Sequence, residues 1–169
     1  RQRLFLKSQK KKLPDAIRYG AMLEVPSLAE QLDVLAPKLS FLSIGTNDLT
    51  QFLFAADRSN PKLAERYDWL SPSILRFLAR VLGSLEGHNV DVTVCGEMGG
   101  RQLEALALIG LGIHRLSITP ASVGPIKELV CKIDAAEIAT AMRGWLAAPP
   151  PDMRAVLVDW AQARGIAID

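Results

Sequence analysis

The feature that most constrains this chain of 169 residues is an alternation repeated four times: a short apolar run, then a stretch of helical periodicity. The runs are YGAMLE at 19–24, SFLSIG at 40–45, VDVTV at 90–94 and RLSI at 115–118. Runs this short and apolar read as buried strands. A helix between successive strands demands a crossover, and crossovers make the strands parallel. Helices are predicted over 27–36, 47–56, 71–87, 101–110 and 121–132, and several have chemical markers at their ends. Pro26-Ser27 precedes the first, Ser71-Pro72 puts a cap and then proline at the start of the third, and Gly110 and Gly112 end the fourth. The second unit is lengthened by 57–70, an excursion on the C-terminal side of its strand, where function tends to be placed. Beyond 132 the alternation stops. Residues 134–147 read as one more helix, AAPPPD at 147–152 as a break, and 153–164 as a final amphipathic helix.

Four such units amount to half of a (β/α)8 barrel. The expected fold class is therefore α/β, a half TIM barrel of four βα units plus C-terminal helices. The expected layout is a basic segment at 1–18, a helix remnant or disordered, then the half barrel at 19–133 and the C-terminal helices at 134–169. A half barrel standing open has two unpaired strand edges and an uncovered interior. The chain is thus expected to need a partner or to have been attached to the other half, with a small open α/β sheet as the alternative. It does not begin with Met, which fits a fragment or a processed piece.

The net charge of +2 is unevenly spread. Arg1, Arg3, Lys7, Lys10, Lys11 and Lys12 all precede the first acid, Asp15; without those six the chain has 14 basic against 18 acidic residues. A basic stretch can meet nucleic acid or an acidic lipid surface. No aromatic residue sits among Lys7 to Lys12 for base stacking, so no nucleic-acid partner is expected. No apolar run approaches the roughly 20 residues that cross a bilayer, and the N-terminus lacks signal-peptide order, so no membrane partner is expected. Cys95 and Cys131 are too few for a disulfide framework, and His88 and His114 have no metal-ligand spacing. A reducing, cytoplasmic setting is expected.

The polar residues of interest fall at the C-terminal ends of three predicted strands, which share one face in a parallel barrel. Glu24 closes the first strand, Asn47 and Asp48 follow the second, and Cys95 and Glu97 follow the third. Glu24 and Asp48 read either as carboxylates at helix starts or as two hard oxygen ligands suited to Mg²⁺. Gly45, Thr46 and Asn47 open a helix with backbone amides that favour an anion. Arg58 offers a planar donor for phosphate or carboxylate, or simply pairs with its neighbour Asp57. Cys95 precedes a loop with three glycines in five residues, a placement for proton exchange, although a structural thiol is the usual reading of a cysteine. Cys131, expected on the inward side of a late helix, keeps that structural reading. His88 and His114 are assigned no role.

In order and spacing, MLEVPS (22–27), SIGTNDLTQF (43–52), DRSN (57–60), SPSILR (71–76) and CGEMGG (95–100) resemble the C-terminal domain of the phosphoenolpyruvate-protein phosphotransferases, Enzyme I. The resemblance covers about 19–132, and LIGLGIHRLSITPASVGPIKEL (108–129) looks closer to the nitrogen-related form. Related dikinases and synthases usually carry Gln where Glu97 stands. Arg101 departs from the family pattern, in which an Asp is common. The resemblance implies the C-terminal half of the barrel, with Mg²⁺ held by Glu24 and Asp48. It implies phosphoenolpyruvate bound by Asn47, Asp48 and Arg58, and a proton given by Cys95 to make pyruvate. It further implies a phosphocarrier protein served through an N-terminal domain not in this chain, a homodimer, and no activity of this fragment alone. Two other expectations stand beside it: a Mg²⁺-dependent aldolase-type lyase of 2-oxo acids, and a non-enzymatic dimerisation or regulatory module.

Overall fold

The computed structural model describes residues 1–63 and 68–168. A short helix, α1 (Gln2–Ser8), buries none of its residues and precedes the sheet. Four strands follow: β1 (Gly20–Leu23), β2 (Phe41–Gly45), β3 (Asp91–Cys95) and β4 (Leu116–Ser117). Every neighbouring pair is parallel and the spatial order is the chain order, β1-β2-β3-β4. The crossovers are helical. Between β1 and β2 run α2 (Pro26–Ala29), α3 (Leu32–Leu35) and a 3-10 turn at Ala36–Lys38; between β2 and β3 run α4 (Thr46–Phe54) and α5 (Pro72–Gly83). A 3-10 turn at Glu97–Gly100 and α6 (Gln102–Gly110) lead to β4, and α7 (Pro120–Lys132), α8 (Ala135–Ala147) and α9 (Met153–Gln162) complete the chain. The fold is α/β, as the alternation of apolar runs and helical stretches predicts.

Burial along the strands has a period of two, so the sheet has one covered face. Leu23, Leu42, Ile44 and Val94 are fully buried against the helices. On the other face Met22 and Phe41 are exposed, while Ser43, Thr93 and Cys95 are half-buried. The helical side of the core is supplied by residues such as Leu75, Leu78, Leu106 and Leu108, all fully buried. The C-terminal helices belong to this core. α8 lies so close to α6 that a Cβ at Gly110 would fall 2.4 Å from Met142 Cγ.

Local chemistry explains most boundaries. Ser71 accepts from the Ile74 amide at the start of α5, and Asp134 and Asp152 cap α8 and α9 in the same way. The helix expected over 27–36 is instead two short helices and a 3-10 turn containing Pro37. The helix expected over 71–87 ends at Gly83, a poor helix former, and the chain then turns through Gly87 at φ +79°. The inward placement expected for Cys131 is corrected, because its thiol is exposed. The buried residues of α7 are Ile126 and Leu129, and two further positions rotate the helix by about 200°, to the outer side.

At the N-terminal end of the strands, Asp91 accepts from Arg18 and Arg115, the latter at 2.7 Å. The Arg18 guanidinium also lies 5.9 Å from the centre of the Phe41 ring, which covers Gly20. This cluster tethers the segment before β1 to β3, at the end of the sheet away from the residues of interest. Among the described residues, no helix is long and apolar enough to cross a membrane.

Candidate functional site

Parallel pairing gathers the C-terminal strand ends into one rim. Leu23 pairs with Ile44, Gly45 with Cys95, and Cys95 with Ser117. Glu24 therefore follows into the position beside Gly45, giving a row Glu24–Gly45–Cys95–Ser117 across the sheet. The Glu24 side chain leans over the bare backbone of Gly45, where a Cβ would fall 2.7 Å from its Cγ and 3.1 Å from Oε1. The carboxylate thus occupies room that only glycine leaves.

At Gly45 the chain passes straight from β2 into α4, and the first residues of that helix are stitched to the glycine-rich loop after β3. The Thr46 hydroxyl donates to the Cys95 carbonyl at 3.2 Å. The Asn47 amide donates to Glu97 Oε1 at 3.3 Å, and the Glu97 backbone N–H donates back to Asn47 Oδ1 at 3.2 Å. Gly96, at φ +107°, makes this approach possible: a Cβ there would lie 2.7 Å from Thr46 Oγ1. Cys95 itself is half-buried, and its sulfur accepts from the Ser43 hydroxyl at 3.3 Å.

Asp48 stands in the first turn of α4, and its Oδ1 lies 3.5 Å from the Arg58 guanidinium. Both side chains are close to half exposed, so this pair contributes little stability and is free to rearrange around an anion. The sequence alternative of an Arg58–Asp57 pair is not the close contact that forms, although the charge of Arg58 still acts on Asp57. Asp57 Oδ1 instead accepts from the Ser59 amide at 2.9 Å and the Ser59 hydroxyl at 2.8 Å. The amide first, and then the hydroxyl, hold its carboxyl below the usual aspartate range. Arg58 is fixed at its backbone, whose N–H donates to Gln51 Oε1 at 3.3 Å. Part of the 57–70 excursion, residues 64–67, lies outside the described residues.

The five residues named from the sequence thus lie on or beside one rim: Glu24 over Gly45, Asn47 against the Cys95 loop, Asp48 with Arg58, and Cys95 in the strand row. Among the described residues no group of three or more His, Cys, Asp or Glu side chains is arranged to hold a metal ion. The acidic donors on this rim are Glu24, Asp48 and Glu97, and Glu97 is engaged by Asn47. His88 and His114 are both exposed.

Ser43 was not singled out from the sequence, although it could have been. It stands two residues before Gly45 on β2, and side chains two apart share a face. Arg101, the departure from the family pattern, is engaged too: its guanidinium lies 5.1 Å from the centre of the Trp69 ring.

Residues 1–135 match the family described as PEP-utilising enzyme, PEP-binding domain. Among curated proteins, the chain is 47% identical over 120 residues to a phosphoenolpyruvate-dependent phosphotransferase system protein of Escherichia coli, covering 71% of the chain and 16% of that protein. It is 43% identical over 133 residues to a phosphoenolpyruvate-protein phosphotransferase of Borreliella burgdorferi, covering 79% of the chain and 23% of the relative. A multiphosphoryl transfer protein of Xanthomonas campestris is 45% identical over 108 residues, or 64% of the chain and 13% of the relative. The chain therefore spans less than a quarter of the length of these curated relatives. With the match running from the first residue through the whole sheet and its polar rim, the chain belongs to the PEP-utilising enzymes as their PEP-binding domain.

Proposed function

We propose that this chain is the substrate-binding part of a phosphoenolpyruvate-dependent protein-histidine phosphotransferase, and the C-terminal half of a TIM barrel. The observation that carries the reading is the placement of Glu24, Asn47, Asp48 and Cys95 at the ends of three adjacent parallel strands, the face on which barrels bind ligands. The open sheet face supports the half barrel. Parallel sheets are ordinarily covered on both sides, yet Met22 is 49% and Phe41 38% exposed. Further strands of a longer protein would cover them. The phosphotransferase names of the relatives do not favour an aldolase-type lyase.

Glu24 and Asp48 are the proposed ligands of Mg²⁺. Two carboxylates beside a phosphate-bearing substrate are the donor set this ion takes, and the bare backbone of Gly45 leaves space for the Glu24 carboxylate on the rim. When bound, Mg²⁺ would neutralise substrate oxygens and polarise them as a Lewis acid. Asn47 and Asp48 flank the substrate at the start of α4. Arg58 gives up its contact with Asp48 and donates to the phosphoryl oxygens, stabilising the charge that spreads over them as the P–O bond breaks. The phosphoryl group passes to a histidine of a separate N-terminal domain. The electron pair left on the enolate is quenched at C3 by the proton of Cys95 Sγ, which leaves pyruvate and a thiolate. The Ser43 hydroxyl already donates to that sulfur and is placed to stabilise the thiolate.

The same reading assigns the parent to the nitrogen-related branch, as a cytoplasmic homodimer that passes phosphoryl groups to a phosphocarrier protein. It is tested in the full-length protein by following labelled phosphoryl transfer from phosphoenolpyruvate together with pyruvate release. Cys95→Ala is expected to lower turnover by at least about a hundredfold while Mg²⁺ binding is unchanged. Unchanged turnover removes Cys95 from this role, and release of aldol products in place of pyruvate overturns the reading altogether. The isolated 169-residue chain is expected to form no pyruvate even in a single turnover.

A further inference from the structure

Glu104 is a buried carboxylate that the proposed chemistry does not use; only 2% of it is exposed. A carboxylate in such a place needs a charged partner. That partner comes from the far end of the chain: Arg154 Nη2, on α9, lies 2.9 Å from Glu104 Oε1. The same nitrogen lies 2.8 Å from Asp68 Oδ1, which also accepts from the Leu70 amide at 2.9 Å. Burial works against the charge of Arg154, but its bonds to Glu104 and Asp68 outweigh burial and hold the guanidinium protonated.

The two acids belong to the two chain segments that leave the site. Asp68 stands shortly before α5, and Glu104 lies in the first turn of α6, just after the loop of Cys95 and Gly96–Gly100. A second contact joins the same two segments, the Arg101 guanidinium over the Trp69 ring at 5.1 Å. Beside them is a cavity of about 490 Å³, lined by Gly100, Arg101, Glu104, Arg154, Val158 and Ile168. α9 lies beyond the residues matched by the family.

We propose that Arg154 is a positioning residue of the active site: by clasping Asp68 and Glu104 it fixes the start of α6, just after the glycine-rich loop of Cys95, against the segment that leads into α5. The inference rests on the reading of Cys95 as the proton donor. It assigns to α9 a part in presenting that thiol.

The test follows the alkylation of Cys95 by iodoacetamide in the full-length protein, by peptide mass spectrometry, beside thermal melts and pyruvate release. Arg154→Met alone strands a buried carboxylate and is expected to destabilise the fold, whereas Arg154→Met with Glu104→Leu removes both charges and keeps an apolar contact. In the double variant, alkylation of Cys95 is expected to quicken by about fivefold or more as the loop loosens, with kcat falling more than KM changes. Arg154→Lys, which keeps the charge without the fork, is expected to fall between. A double variant that melts like the parent protein and alkylates Cys95 at the parent rate overturns the inference. Faster alkylation in a protein that releases no pyruvate from phosphoenolpyruvate keeps the clasp and defeats the proposed reaction instead.

Discussion

The side chain of Glu24 rests in the space that a Cβ on Gly45 would take, 2.7 Å from its Cγ and 3.1 Å from its Oε1. One strand end thereby decides where the carboxylate of the next can go. Gly45 has an ordinary negative φ of −84°, so backbone freedom is not what requires glycine here. Contact with Glu24 is.

Gly45→Ala is therefore expected to push Glu24 off the rim. The overpacking costs about 1–3 kcal/mol, read by urea unfolding. On the proposed role of Glu24 as a Mg²⁺ ligand, turnover of the full-length protein at low Mg²⁺ is expected to drop about tenfold or more and to be partly recovered at high Mg²⁺. A variant with parent-like Mg²⁺ dependence would show that Glu24 is not a ligand.

Gly96 fails for two reasons at once. Its φ of +107° is strained for any side chain, and a Cβ would meet Thr46 Oγ1 at 2.7 Å and Asn47 Oδ1 at 3.1 Å. Gly96→Ala is expected to destabilise by about 2–4 kcal/mol and to break the Thr46–Cys95 bond. Equilibrium unfolding measures the first effect, and faster amide exchange in the loop measures the second.

Asn47 exchanges two hydrogen bonds with Glu97, one as donor and one as acceptor. Asn47→Asp keeps the acceptor, loses the donor and sets two like charges together. KM for phosphoenolpyruvate is expected to rise about tenfold, with a smaller fall in kcat. Asn47→Ser, small and neutral, is expected to do less harm than the charged variant.

The Asp91 cluster carries a pH dependence. The hydrogen bond from Arg115, and then that from Arg18, lower the Asp91 pKa in the folded chain. A lowered native value means that the unfolded chain binds the proton more tightly. The contribution is thus complete above the unfolded value of about 3.9 and is lost as pH falls through the native one. The melting difference between the parent protein and Asp91→Asn is expected to be constant near neutrality and to shrink below about pH 4. A difference that persists unchanged in acid would assign it to packing.

The strands, their parallel sense and the rim residues were legible in the sequence because each is written locally. Apolar runs mark strands, capping residues mark helix starts, and Glu24, Asn47 and Cys95 each follow a strand directly. What escaped was set by geometry between distant segments. Arg154 and Glu104 are 50 positions apart, and nothing near either residue announces the other. Cys131 was misplaced because a helix turns by about 100° per residue, so a position two beyond buried Leu129 faces away from the core. The pairing of Arg58 with Asp48 in place of Asp57 was likewise beyond local reading, since Asp57 is diverted by Ser59.

The strand order has a bearing on how this domain is made. Each strand pairs with the one synthesised just before it, and none of these pairings waits for a strand still to be translated. This order would let β2 meet β1, and then β3 meet β2, as the chain leaves the ribosome. Loop closure is short for β1–β2 and β3–β4, whose paired residues lie 21 and 22 positions apart, and longer for β2–β3, where they lie 50 apart. A domain laid down in this manner can add its units one after another onto whatever sheet is already folded.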